Sequence, residues 1–155
     1  MAITDRSLDS EERADITRFM KLGLKRIGAD RAAAPDPDKL QELVSQAIDQ
    51  YRKQDEKRRQ ASLLDASVSL GSLWGQLFCD QIGWTWVFMK MDDGKEYYGV
   101  VSPNRSHLIF PLQHTQNLMR DPTREQDSLA LYQSVKSGTL PASKEREYRV
   151  LGSGV

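Results

Sequence analysis

One cysteine in 155 residues, Cys79, can close no internal disulfide, and nothing in the chain marks an oxidising compartment. Excess charge of one sign is also missing. Lys+Arg and Asp+Glu are both 22, so the formal net charge is zero, which argues against a nucleic-acid binder working through bulk positive charge. No uninterrupted apolar run approaches the roughly 18 residues of a membrane span. The polar, acidic-leaning start MAITDRSLDSEERAD lacks the basic lead and apolar core of a secretory signal. A cytoplasmic protein is expected.

Chemistry-bearing residues are scarce. Cys79, His107 and His114 are the chain's only cysteine and histidines. Without C-x-x-C or H-x-x-x-H spacing they do not make a zinc set. There is no G-x-S-x-G elbow and no phosphate-binding loop. Asp92 and Asp93 are neighbours, but they precede Gly94 at a hairpin tip, where aspartate is ordinary turn chemistry. No metal, cofactor or catalytic residue is implied. A cysteine-dependent enzyme would have to use Cys79 with a histidine, and that needs an exposed thiol beside a basic group.

What is present has a globular balance, 39% hydrophobic and 28% charged, at a length suited to one domain with one core. A first helix is expected over 7–28, where Ile16, Phe19, Met20, Gly23 and Ile27 fall at helical spacing. The stretch ADRAAAPDPD reads as a loop. Asp36 then caps a second helix with Pro37 at its first position and Leu40, Leu43, Val44, Ala47, Ile48 and Tyr51 on one stripe. The following RKQDEKRRQ reads as a solvated helical end. Its alternative is a partner-facing or phosphate-facing patch of Arg52, Lys53, Lys57, Arg58 and Arg59, a weaker route to nucleic acid.

A third helix is expected over 63–82, running into strands at WTWVFMKM, KEYYGVV and HLIF. Asp93-Gly94 marks a tight hairpin between the first two strands, and Ser102-Pro103-Asn104 a turn before the third. Pro111 opens a helix that stops before Pro122. Thr123 with Gln126 reads as the capping box of a last helix, ended by Gly138. EYRVL can add an edge strand, and residues 152–155 are expected to be disordered. The fold class is α+β: an N-terminal helical pair over 1–61, a glycine-striped helix, a three- to four-stranded antiparallel meander, and two C-terminal helices, in one domain over 1–151.

Two glycines inside the third helix are each unfavourable by roughly 1 kcal/mol relative to alanine. Gly71 and Gly75 are four apart and extend to a stripe with Ser67 and Cys79. Such a stripe lets a helix backbone lie close against the sheet starting at Trp84, or against another helix, and it makes Cys79 packing material. The run LGSLWGQLFCDQIGWTWV, the charged hairpin, a strand ending in IFPL and a late helix closing at SVKSG resemble a family of small bacterial domains of unknown function. The matching positions are Leu70, Gly71, Gly75, Gly83, Trp84, Trp86, Val87 and Pro111, over about residues 62–140. The resemblance implies an α+β domain and brings no catalytic residues.

Trp84, Trp86 and Phe88 share one face of the first strand of the meander, and Val87, Met89 and Met91 the other. An uncovered aromatic face would be a partner site, which Tyr97, Tyr98, Arg105 and His107 can extend. The expected function is protein binding without catalysis, most concretely an immunity protein that masks a toxin or secreted effector. The expected contacts are Asp92, Asp93, Lys95, Glu96, Tyr98, Asn104 and Arg105, because loops on a rigid sheet commonly carry recognition. The alternative is a structural component that forms homo-oligomers through the apolar sheet face.

Overall fold

The computed structural model describes residues 3–30 and 36–155; of the loop expected over 29–38, positions 31–35 lie outside the described residues. The chain opens with a strand, β1 (Thr4–Ser7), that sequence reading left unassigned. TDRS carries no apolar alternation. It is a strand because it pairs antiparallel with β2 (Thr85–Lys90), from Thr4↔Lys90 to Ser7↔Val87. The first helix therefore starts later than expected, as α1 (Ser10–Arg26). A reciprocal capping box fixes its start: Glu12 N–H donates to Asp9 Oδ1 at 2.7 Å, and Asp9 N–H donates to Glu12 Oε1 at 2.9 Å. Arg6 adds two hydrogen bonds of 2.8 Å to Glu12, which hold that carboxyl down at about 2.

Asp36 and Pro37 start α2 (Pro37–Arg52) as expected, and Leu40, Val44, Ile48 and Tyr51 are buried along it. The charged run after Tyr51 is not one solvated helical end. The helix stops at Arg52, and Asp55 caps a new one by accepting from Arg58 N–H at 2.9 Å. The third helix, α3 (Glu56–Ile82), is thus longer than expected, with 27 residues. At 1.5 Å per residue it spans about 40 Å. Gly83, at φ 79°, ends it in the left-handed region.

The meander follows as β2, β3 (Glu96–Val101) and β4 (His107–Ile109), antiparallel throughout. Then come α4 (Pro111–Arg120), α5 (Ser128–Ser137) and a two-residue strand, β5 (Arg149–Val150), which pairs parallel to β4. The sheet has five strands in the order β1-β2-β3-β4-β5, one more than the upper expectation. The Thr123–Gln126 capping box does not form. Thr123 turns back onto Asp121, Gln126 reaches across to the Ser45 hydroxyl at 2.9 Å, and α5 begins only at Ser128.

The helix α3 is the centre of the molecule, and its glycine stripe does what the spacing implies. A Cβ on Gly71 would stand 2.8 Å from the Pro111 carbonyl oxygen. One on Gly75 would stand 2.7 Å from the Trp86 ring and 2.8 Å from Pro111 Cγ. Both alternatives are therefore realised, since the stripe meets the sheet through Trp86 and a helix through the start of α4. On another side of α3, Gly23 of α1 sits against the Ser69 carbonyl, again closer than a Cβ allows. The main core gathers Leu70, Leu73, Trp74, Leu77 and Phe78 of α3 with Val44 and Ile48 of α2, Leu118 and Met119 of α4, and Val100 and Ile109 of the sheet.

The opposite sheet face has its own buried cluster of Val87, Met89, Val101, Leu108, Phe110 and Tyr148. Asp5 helps enclose it. Its carboxylate accepts from Arg105 Nε at 3.2 Å and from the Tyr148 hydroxyl, tying β1 at one sheet edge to the approach to β5 at the other. This ties the two edges of a twisted sheet into a curl. The ties hold Arg105 at φ 63° and Tyr148 at φ 49°, left-handed conformations that glycine adopts more easily. The segment 152–155, expected to be disordered, is anchored at Ser153, which is 4% exposed.

Gly71→Ala is expected to lower stability by about 1–2 kcal/mol, although alanine is the better helix former by ~1 kcal/mol, because the opposing Pro111 atoms are backbone. A fall in the urea midpoint at unchanged slope reads this out. Glu12→Gln is expected to cost about 1 kcal/mol at neutral pH by weakening the cap and the Arg6 pair. The folded carboxyl, at about 2, lies below its ordinary value of 4.5, so this contribution is complete above about pH 5 and fades as pH falls towards 2. Urea midpoints of the two proteins should converge across that window.

Candidate functional site

From Ala66 to Gly75 every residue of α3 is buried except Val68. The central helix is wrapped on all sides but one, and that side continues to Leu64, one turn earlier, which is 66% exposed. On α1, Ile16, Met20, Gly23 and Leu24, with Ile27 at its cap, turn inward at helical spacing, while Phe19 is half-buried on the groove side. Leu22 falls off that stripe and stands 49% exposed. The two helices approach closely because Gly23 meets Ser69, so their outer flanks leave a shallow groove. It encloses about 630 Å³ and is lined by Phe19, Leu22, Leu64 and Val68, with Lys25, Arg26 and Asp65 at its margin. Isolated exposed leucines are ordinary surface, but two that face each other across one concavity form a contiguous apolar patch. Leu22 stands out of phase with the α1 stripe, whereas Leu64, seven residues before Gly71, lies in phase with the glycine stripe and is exposed all the same.

The expected contact residues do not form one patch. Asp92, Asp93, Lys95 and Glu96 are exposed at the β2–β3 hairpin tip, where Asp93 accepts from Lys95 N–H at 3.0 Å. Asn104 and Arg105 lie in the β3–β4 turn, at the other end of β3, about 20 Å away along a six-residue strand. Asn104 Oδ1 shapes that turn by accepting from Ser106 N–H at 3.1 Å, and Arg105 is engaged by Asp5. Tyr98 is half-buried between them, edge-on to Phe88 with ring centroids 4.9 Å apart, and burial raises its hydroxyl pKa.

Of the aromatic set, Trp84 is buried at 7% exposure beside Phe78, while Trp86 and Phe88 are half-buried. The Trp86 indole N–H donates to Gln76 Oε1 at 3.0 Å, and the Arg6 guanidinium lies 4.7 Å from the centre of the Phe88 ring. The helical layer and Arg6 thus already occupy much of this face. Three of the five cations in the basic run are engaged: Arg52 donates to the Pro122 and Arg124 carbonyls, Arg59 to the Gln54 carbonyl at 2.7 Å, and Arg58 pairs with Asp55, while Lys53 and Lys57 are exposed.

Cys79 lies at the end of the small stripe, and burial pushes its thiol up to about 12, with Asp80 adding to the shift. Both histidines are held at both ring nitrogens. His107 Nε2 donates to the Pro141 carbonyl at 2.7 Å, and its Nδ1 lies 2.7 Å from the Ser106 hydroxyl. His114 Nδ1 accepts from Ser153 N–H at 2.9 Å, so the proton sits on Nε2, which donates to Asp127 Oδ1 at 2.8 Å. The Ser153 hydroxyl is also 2.8 Å from Nδ1, which gives Ser153, His114 and Asp127 the look of a nucleophilic triad. The Nδ1 lone pair is already committed to a backbone donor, however, and is not free to take a hydroxyl proton. The arrangement anchors the C-terminal tail. Among the described residues no cluster of three His, Cys, Asp or Glu is placed to hold a metal ion, and no helix is long and apolar enough to cross a membrane.

Fold and surface together define an α+β domain whose central helix is wrapped over residues 66–75 and borders an apolar groove at Leu64 and Val68. No family model and no curated protein matches the chain. A crystal structure from Bacteroides thetaiotaomicron VPI-5482 is similar to it, with a TM-score of 0.62 at 15% sequence identity, over 86% of this chain and 47% of that one. The likeness is one of fold, and the chain spans about half the length of that solved structure.

Cys79 is expected to resist thiol reagents in the native protein. With its pKa at about 12, labelling near pH 8 should run about a thousandfold slower than for an unfolded cysteine and reach normal speed in denaturant. Native labelling as fast as the denatured reaction would show an activated thiol instead.

Proposed function

We propose that this is a protein-binding domain without catalytic activity, and that it docks its partner in the groove between α1 and α3. The observation that carries this reading is the single unwrapped side of α3, where Leu64 and Val68 face Leu22 and Phe19 across a concavity. Apolar side chains clustered in a concave, water-excluding site are where binding energy concentrates. The groove replaces the hairpin and turn residues as the contact surface, because those are split between the two ends of β3. The committed roles of Cys79, His107 and His114 in packing and anchoring support a function of contact rather than turnover. A toxin or secreted effector, which an immunity protein masks, is the most concrete partner of this kind.

Photo-reactive residues placed at positions 22 and 64 should cross-link one and the same protein in the native host, and one placed at position 92 should not. Leu22→Ser with Leu64→Ser should abolish the cross-linked partner's copurification while changing stability by less than about 0.5 kcal/mol, since both side chains are largely in solvent. If that partner stops growth when expressed alone, rescue by the wild-type chain but not by the double variant establishes the immunity form. Unchanged partner recovery with the double variant overturns the groove.

A further inference from the structure

The groove has a charge, and it restricts what can sit there. From Arg18 to Arg26, α1 carries Arg18, Lys21, Lys25 and Arg26 and no acidic residue, in a chain whose net charge is zero. Lys25 and Arg26 line the groove itself. Lys21 and Lys25 line a second depression, about 810 Å³, on the adjoining side of Leu22. Arg18 is paired with Asp15, but among the described residues Lys21, Lys25 and Arg26 form no ion pair. One acid, Asp65, faces them in the groove, and Asp30 borders the second depression. An apolar floor is therefore flanked on its α1 side by Lys25 and Arg26, with Lys21 on the adjoining depression: three cations in no ion pair, against two acids.

Resting on the protein-binding reading above, we propose that the groove takes an acidic amphipathic helix of a partner protein. Two helices held close at Gly23 and Ser69 leave a trough between their outer side chains, the shape into which a third helix lays an apolar face. The floor from Phe19 to Arg26 covers seven steps of α1, about 10 Å, so two to three turns of partner helix cover it. Leucine-like side chains at i, i+3 or i+4, and i+7 meet Leu22, Leu64 and Val68. Carboxylates on the flank that overlies α1 meet Lys21, Lys25 and Arg26, while Asp65 disfavours carboxylates on the α3 flank. The pairing is electrostatically one-sided and fixes which way the helix is rolled. An anionic membrane surface would also attract lysines beside leucines, but a concave floor with Asp65 at its margin fits a rod better than a flat surface.

Two synthetic 15-residue helices with the same leucine face, one with glutamate and one with lysine on the flank over α1, test the proposal on the full chain. The acidic peptide should shift the methyl signals of Leu22, Leu64 and Val68 and bind at least about tenfold tighter than the basic one at low salt, a preference that shrinks with added salt. Lys21→Glu with Lys25→Glu and Arg26→Glu, checked for an unchanged melting curve, should reverse the preference. Equal binding of both peptides, or methyl shifts confined to other sites, overturns the charge assignment. Cosedimentation with phosphatidylserine vesicles that depends on these three cations overturns it in favour of a lipid surface. Concentration-dependent dimerisation abolished by Leu64→Ser assigns the groove to a second copy and overturns it too. If both peptides fail while the Leu22/Leu64 double variant still loses its cross-linked partner, the partner chemistry is wrong and the docking groove stands. If that variant keeps its partner, the reading beneath it falls as well.

Discussion

The layers of this domain are positioned by backbone contact with α3. Gly71 meets the Pro111 carbonyl, Gly75 meets the Trp86 ring, and Ser69 receives Gly23 of α1, each at a separation that a β-carbon would prevent. Side-chain packing alone tolerates rotamer changes and small shifts, but the main-chain contacts at Gly71–Pro111 and Gly23–Ser69 do not, and at Gly75 the Trp86 ring lies directly on the helix backbone. The start of α4, the tilt of β2 and the crossing of α1 are therefore all set relative to one rod. Two glycines are costly for helix propensity, and they are kept because helix and sheet could not otherwise meet. The same crowding leaves α3 a single open side, and the apolar groove lies there.

Polar side chains complete what the rod begins. Asp5 ties the first strand to Arg105 and Tyr148, His107 holds Pro141, and His114 holds Ser153. These ties bring the beginning and the end of the described chain onto its middle and, at Asp5 and Tyr148, onto each other. Both histidines use both ring nitrogens, and Asp5 accepts three hydrogen bonds from Arg105 and Tyr148. Buried polar groups satisfied in this way specify one arrangement of the chain.

The fold was legible in the sequence where local and tertiary preferences coincide. Asp36-Pro37, Asp93-Gly94 and the four-residue spacing of Gly71 and Gly75 each act through the backbone, and each marks a real feature. The α+β class follows from them. The sequence was mute at TDRS, whose strand exists only through pairing with β2, and at residues 52–60, where a run without apolar residues gives no helical phase by which to find a break. Thr123 and Gln126 have the spacing of a cap, yet stronger partners on Asp121 and Ser45 take them. The groove was half legible, since Leu22 stands out of phase with its stripe, while Leu64 lies in phase with Gly71 and gives no such signal. That they face each other depends on how α1 crosses α3, and this is decided by a glycine on one helix and a serine on the other.

The curled sheet also has an order in time. Emerging from the ribosome, β1 has no partner until about eighty further residues have been made, and Asp5 meets Tyr148 only after 143. Five helices and the meander precede Tyr148 and can organise before that contact. β1 thus precedes its partner strand by about eighty residues, and until β2 is made it waits as an unpaired strip of backbone. Arg6, Asp9 and Glu12 are well suited to that interval: charge on and beside a waiting edge keeps it from pairing with the wrong chain.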